Sequence, residues 1–205
     1  MSTTPTYEAL KEQAFERIEQ LRGPMIELSD RIGRNPELGF EEHQAVAWIS
    51  AVFQEMGFSV ECPFVNLETA FRARWVGEAD GPNVGFLIEY DALPDLGHAC
   101  GHNTKGSSTW GAVAGILAAL PSLPGTLTVI GTPAEEGGGG KVLMADRGAF
   151  DDLDVALALT VGPTSMTGLS SLAVQGLGMR FWGRGPRQCA APGRAQCPQG
   201  LHPHL

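Results

Sequence analysis

The chain has 205 residues, of which 43% are hydrophobic and 18% charged, and its formal net charge is −9. This size and composition are typical of one globular domain, or of one domain plus a fragment. The negative charge argues against nucleic acids and acidic membranes as partners, because both are themselves negative. There is no run of about 18 apolar residues and no apolar secretion signal, so we expect a cytoplasmic protein.

Helices and strands alternate along most of the chain. In order, the patterns predict a helix over 7–34, a helix over 41–56, strands over 58–64, 70–76 and 83–89, a helix over 104–120, a strand over 126–132, a helix over 141–150 and a strand over 155–161. Gly23-Pro24 should kink or split the first helix, and Asn35-Pro36 should end it. The alternation predicts an α/β fold with a mostly parallel sheet flanked by helices. In such sheets ligands bind at the C-terminal ends of the strands. Two polar motifs follow the C-terminal ends of two predicted strands, so we expect the site to lie there.

The first motif, GHACGHN at 97–103, has His98, Cys100 and His102 at alternate positions. Alternate side chains of an extended segment share one face, so all three can face one ion. Imidazole and thiolate favour zinc, or else cobalt, manganese or nickel, and one histidine can instead orient its neighbours. The alternatives are a buried cysteine beside two loop histidines, or Cys100 as a nucleophile with His102 as its base. Asp91 either supports or bridges the metal, or caps the loop after its strand.

The second motif is GTPAEEGGGG at 131–140. A catalytic metal needs a carboxylate ligand and, separately, a base that deprotonates water. Because adjacent side chains of an extended chain diverge, one of Glu135 and Glu136 can reach the ion while the other faces the water. The alternative is an exposed acidic pair at the start of the following helix. The glycines at 137–140 indicate either a closely packed backbone or a flexible loop, and a phosphate-binding loop is excluded because no GK[ST] follows.

Three segments together resemble the zinc-peptidase-like amidohydrolases of the aminoacylase and carboxypeptidase superfamily. They are NPELGFEE at 35–42, YDALPDLGHACGHN at 90–103 and GTPAEEGGGGKVLMADRGAFDDLDVAL at 131–157. Within that superfamily the chain most resembles hydrolases of N-acyl amino acids and of aminobenzoyl-glutamate. The resemblance implies a zinc-exopeptidase-like catalytic α/β domain, which in the family is interrupted by a smaller dimerisation domain. It also implies hydrolysis of a small amide substrate, assisted by a divalent metal that is zinc, manganese or cobalt.

The resemblance also implies roles for single residues. Cys100, His102 and Glu136 would hold the metal, and Glu135 would be the general base. His98 matches a motif position that is not usually a direct ligand. The full-length family implies a homodimer, and the substrate would be an N-acyl amino acid or a short peptide-like amide.

The chain departs from the family pattern in two places. Thr160 stands where the family has a metal-binding histidine, and a last histidine ligand has no counterpart. We therefore expect residues 1–184 to be the N-terminal part of an incomplete catalytic domain. The proline-rich segment 185–205 predicts an irregular, aberrant tail. Its cysteines and histidines fit no usual zinc spacing (Cys189, Cys197, His202 and His204). The alternative function is a truncated, inactive remnant, or a non-catalytic metal-binding or interaction protein.

Overall fold

The computed structural model describes residues 5–168. The chain divides into two units, Met1–Pro163 and Thr164–Leu205, and the fold given below is that of the first. The predicted boundary at Arg184, the tail at 185–205 and its cysteines and histidines lie outside the described residues.

The first unit contains five α-helices and five strands among its described residues. In chain order they are α1 (Tyr7–Gln20), α2 (Arg22–Arg34), α3 (His43–Glu55), β1 (Ser59–Glu61), β2 (Phe71–Val76), β3 (Asn83–Ile88), a 3-10 turn (His102–Thr104), α4 (Lys105–Ala119), β4 (Thr126–Gly131), α5 (Gly140–Asp146) and β5 (Val155–Ala158). Within residues 5–168, none of the helices combines the length and the apolarity that crossing a bilayer requires.

The long N-terminal helix splits as predicted, but slightly earlier than the proline. The break falls at Leu21, so Pro24 lies in the first turn of α2, where its missing N–H is tolerated. Asn35 ends α2 as predicted, and its side-chain amide donates to the Arg31 carbonyl at 2.8 Å.

Three predicted elements are shorter in the structure. β1 stops at Glu61 because Pro63 follows closely and has no N–H for the strand ladder. The helix predicted over 141–150 ends at Asp146, shortly before Gly148, whose φ of +73° is incompatible with a helix. β5 covers only the first four residues of its predicted range.

The predicted α/β architecture is confirmed, although the sheet is mixed rather than mostly parallel. The strand order is β1-β2-β4-β3-β5. β3 pairs in parallel with β4 and β5, whereas the β1–β2 and β2–β4 pairs are antiparallel. The physical reason lies in the connections, because parallel neighbours need a crossover and the links on either side of β2 contain no helix.

Side chains on the two faces of the sheet enter two different hydrophobic clusters. In β4, Val129 faces the larger cluster with α2, α3 and α4, while its neighbour Ile130 faces the smaller cluster with Met144 of α5. This alternation covers both faces of the central strands with helices. It leaves the C-terminal ends of β3 and β4 side by side, since Ile88 is level with Gly131 and the Thr132 amide donates to the Ile88 carbonyl at 2.8 Å. Both motifs begin at this edge.

Candidate metal centre

The segment that follows β3 presents two carboxylates on one side. Tyr90 is fully buried, and its hydroxyl donates to the Thr69 carbonyl. Glu89 and Asp91 flank it in extended chain and therefore point away from it, towards the second motif. Tyr90 thus acts as the anchor that fixes the direction of both carboxylates.

His102 lies at the centre of the site and is almost completely buried. Its Nδ1 is 2.9 Å from Asp91 Oδ1 and 3.0 Å from the Asp91 carbonyl oxygen. Because both of these atoms are acceptors, Nδ1 carries the proton and the lone pair of the neutral ring is on Nε2. The other carboxylate oxygen, Asp91 Oδ2, accepts from the Glu136 amide at 2.8 Å. Asp91 therefore connects the two sequence motifs directly.

Three carboxylates converge on the free nitrogen of His102. Its Nε2 is 3.5 Å from Glu89 Oε2, 3.7 Å from Glu135 Oε2 and 3.7 Å from Glu136 Oε1. Ligand atoms of Glu89, His102 and Glu135 all lie within 4.8 Å of one another. A nitrogen lone pair and anionic oxygens repel each other at this range unless positive charge lies among them. The donor set, one imidazole with several carboxylates, fits a divalent cation such as zinc or manganese.

The exposed Cys100 lies beside one of these carboxylates. Interaction with the Glu136 carboxylate is the largest cause that raises the pKa of the Cys100 thiol. The raised pKa disfavours the thiolate that a nucleophilic cysteine would need. Of the three ligands that the resemblance implies, His102 and Glu136 lie 3.7 Å apart. Among the described residues, however, the ligand atoms within 4.8 Å of one another belong to Glu89, His102 and Glu135, and Cys100 is not in that group.

His98 has no comparable contacts. Both of its ring nitrogens are buried without a hydrogen-bond partner among the described residues. Burial also lowers the pKa of His98, so the neutral ring is favoured.

Sequence reasoning missed Glu89 and two lysines that pair with it. Lys105, buried at the start of α4, and Lys141, in α5, both contact the Glu89 carboxylate. Burial alone would raise the pKa of Glu89, but the two ammonium groups outweigh it and hold the pKa below its usual value. The available signals were an acidic residue directly after an apolar strand and a lysine opening an apolar helix.

The four glycines after the glutamate pair divide into two kinds. A Cβ on Gly138 would lie 2.5 Å from Ala134 Cβ, and one on Gly140 would lie 1.8 Å from the Pro133 carbonyl oxygen. Gly137 and Gly139 have open space instead, although Gly139 has a φ of +64°. The loop carrying the glutamates is thus folded tightly on itself at two of the four positions.

Thr160 follows the end of β5 at the same edge of the sheet. Ala158 is level with Leu87, so continuing the register two residues brings Thr160 level with Glu89. The next residue, Val161, packs closely against Gly101 of the first motif. The threonine therefore lies at the side of the site where the family's histidine was expected.

Sequence comparison gives matches to hydrolases. The model of peptidase family M20/M25/M40 matches residues 85–187, half of the chain. The chain is 38% identical to Xaa-Arg dipeptidase of Mus musculus over an alignment covering 93% of this chain and 47% of that protein. It is 33% identical to a p-aminobenzoyl-glutamate hydrolase of Escherichia coli K12, with coverage of 74% of this chain and 35% of that protein.

Comparison with solved structures agrees on the fold. A dinuclear metal-binding peptidase of the M20 family from Bacillus subtilis superimposes with a TM-score of 0.63 at 24% identity, over 71% of this chain and 44% of that chain. The chain spans about half the length, or less, of the curated relatives named above. Its sequence match identifies it as a member of peptidase family M20/M25/M40.

Proposed function

We propose that this chain carries the metal-binding and water-activating part of a hydrolase that cleaves amide bonds. The observation that supports this most strongly is the convergence of Glu89, Glu135 and Glu136 on the unprotonated nitrogen of His102. Family membership supports the same chemistry.

In this proposal Cys100, His102 and Glu136 hold the metal. A bound divalent cation would polarise the substrate carbonyl and make water more acidic. The Asp91 carboxylate accepts a hydrogen bond from the Nδ1–H of His102, which keeps Nε2 available for the metal. The Cys100 thiol gives up its proton when the site is loaded, so loading becomes more favourable as pH rises.

Glu135 is the proposed general base. Its side chain is 41% exposed, whereas that of Glu136 is only 17% exposed, so Glu135 is the more accessible to water and substrate. It would take a proton from the attacking water and pass it to the leaving amine. Both transfers need a carboxylate at the mouth of the site rather than one enclosed in it.

The proposed substrate is an N-acyl amino acid or a short peptide-like amide. The names of three relatives support this class, since they denote a dipeptidase, an aminobenzoyl-glutamate hydrolase and an N-acetyl-cysteine deacetylase. Zinc is the proposed metal, with manganese or cobalt as alternatives. The cytoplasmic location stays a prediction.

A second candidate function is a non-catalytic remnant that binds metal weakly. Thr160 favours it, because a hydroxyl is a poor substitute for imidazole. Lys105 and Lys141 favour it too, since their ammonium groups already neutralise Glu89.

Metal content and hydrolysis together separate these functions. Elemental analysis of the purified protein should find about one ion per chain, as in a mononuclear site. Cys100→Ala should lose the ion, while Cys62→Ala, at the other exposed free cysteine within residues 5–168, should keep it. Glu135→Gln should keep the ion and abolish hydrolysis of N-acyl amino acids. Absence of hydrolysis in the unmutated chain, with or without bound metal, supports the remnant and contradicts the proposed hydrolase.

A further inference from the structure

The segment between α2 and α3 lies against both loops of the site. The Glu37 carbonyl accepts from the Ala92 amide at 2.8 Å, directly after Asp91. At its other end, the Glu42 carboxylate reaches the loop that carries Glu135. Periodicity and turn residues alone indicate only a connector between helices here, yet the segment spans from one motif to the other.

Glu42 is an unusual residue in this position, because its side chain is completely buried. Oε1 accepts from the Ala134 amide at 2.8 Å, and Oε2 has no hydrogen-bond partner within the described part of the chain. Burying a carboxylate with so few partners is costly. A leucine or methionine would fill the same space without that cost, so the carboxylate is explained by the amide that it holds.

Ala134 has a backbone conformation that needs external support. Its φ is +52°, in the left-handed region that favours glycine, and it is fully buried. Such a conformation persists only where the surroundings impose it. Gly39 contributes to this, because a Cβ there would lie 2.9 Å from Ala134 Cα. The direction of the chain at Ala134 determines where Glu135 and Glu136 point.

We propose that Glu42 is a positioning residue for the metal centre: by accepting from the Ala134 amide, it holds the loop in the conformation that directs Glu135 and Glu136 at His102. The expected effect of Glu42 on metal affinity rests on the proposed function, whereas its expected effect on the conformation of the loop does not. The essential property of the side chain is an acceptor oxygen in the place of Oε1. Glu42→Gln should therefore keep the loop in place, because glutamine retains an acceptor oxygen. Glu42→Met should not, because methionine has a similar shape but no such oxygen.

Amide hydrogen exchange of the metal-free protein tests the loop directly. We expect Glu42→Met to speed exchange across residues 134–140 on the order of tenfold, as local opening does, and to leave β3 unchanged. Glu42→Gln should exchange like the unmutated protein. Phe53 is fully buried in the larger hydrophobic cluster. Phe53→Leu is therefore the control for general destabilisation and should raise exchange throughout the described unit. Unchanged exchange over 134–140 in Glu42→Met, or a rise spread evenly as in Phe53→Leu, overturns the proposal.

A cobalt titration of the same variants tests the consequence for the site. We expect the dissociation constant to rise on the order of tenfold in Glu42→Met and to stay within twofold in Glu42→Gln and Phe53→Leu. A loosened loop with unchanged cobalt affinity overturns the positioning role. If the unmutated protein binds no cobalt, the proposed function fails, and the exchange result alone decides whether Glu42 holds the loop. If Glu42→Met does not fold, Gly39→Ala displaces the same residue and should give the same local exchange.

Discussion

The imidazole of His102 owes both its orientation and its tautomer to Asp91. One carboxylate oxygen holds Nδ1, and the other holds the Glu136 amide. A change at Asp91 therefore affects a histidine of the first motif and a glutamate of the second at once. Asp91 itself is buried and is not among the three carboxylates at Nε2, which favours an orienting role over direct metal contact.

The ion pair of His102 and Asp91 predicts how the stability of the metal-free protein depends on pH. Burial, the largest single cause, would lower the pKa of His102, but the bond to Asp91 together with the charges of Asp91 and Glu89 raises the pKa above 6.5. The stabilisation is therefore complete below about 6.5 and is lost as pH rises through the folded-state pKa. For Asp91, burial is the largest single cause and would raise the pKa, but the hydrogen bonds from His102 and the Glu136 amide, together with the charge of His102, lower it below 3.8. The contribution of Asp91 is therefore lost only as pH falls through that lower value.

Urea unfolding in the presence of a chelator, repeated across the pH range, measures this dependence. We expect the free energy of unfolding to decline as pH rises above about 6.5 in the unmutated protein. In Asp91→Asn the decline should vanish or reverse, because burial then dominates the pKa of His102. An identical decline in both proteins would show that other groups cause it.

Thr160→His is expected to strengthen metal binding. Residue 160 follows the last β3–β5 pair, Leu87 with Ala158, and precedes Val161, which packs against Gly101 of the first motif. We therefore expect an imidazole at residue 160 to add a nitrogen ligand. We expect the zinc dissociation constant to fall on the order of tenfold or more, which corresponds to about 1.4 kcal/mol. Competition with a chromogenic chelator measures it. Gln54→His, at an exposed position of α3, controls for adventitious binding, and an equal gain there would refute the role assigned to residue 160.

At the scale of elements, the site depends on two loops that leave neighbouring parallel strands at the same edge. The second loop folds back on itself, with the Gly138 and Gly140 amides donating to the Ala134 carbonyl at 3.2 and 3.3 Å. Those bonds bring the start of α5 against the end of β4. The glycines are thus part of the geometry of the site rather than a flexible tether.

Two alanine substitutions in the glycine run should differ sharply. Gly140→Ala would force a methyl group against the Pro133 carbonyl oxygen, and we expect a loss of about 1–3 kcal/mol in the free energy of unfolding. Gly137→Ala meets no atom within 4 Å and has no positive φ, so its effect should stay within about 0.5 kcal/mol. Denaturant unfolding of both variants compares them. Equal effects would mean that the loop rearranges freely.

At the scale of the whole molecule, the sheet formed by residues 5–168 ends at β5, whose residues are apolar and exposed. All four residues of β5 are exposed, and Leu157 and Val161 are 46% and 59% exposed. An exposed apolar edge strand is a template for pairing with another chain. We therefore expect this chain to self-associate as its concentration rises.

A charge on the edge strand should reduce that association. Leu157→Lys leaves the buried clusters intact and places a lysine where natural edge strands carry one. Light scattering after size-exclusion chromatography should show less self-association than in the unmutated protein. Val142→Lys, at an exposed apolar position of α5, is the matched control and should change little. A monomeric peak with a cooperative melt at every concentration would contradict the prediction.

The sequence by itself determined the features that depend on short stretches of chain. Periodicity and chain-breaking residues located the helices and strands, and alternation of the two indicated the α/β class. The spacing within 97–103 and 131–140 indicated a metal-hydrolase site, and the family match agrees with it. These signals are local, so they can be read without knowing which distant segments meet.

Only the tertiary structure decided what depends on segments far apart in the chain. Glu42 meets Ala134 across 92 positions, and Asp91 meets Glu136 across 45. The ion pairs of Glu89 with its two lysines and the mixed pairing of the sheet also depend on segments far apart in the chain. No local pattern encodes such contacts, because they arise from packing of the whole unit. The motifs therefore predicted the kind of site, while the packing decided which carboxylates surround His102 and what holds them there.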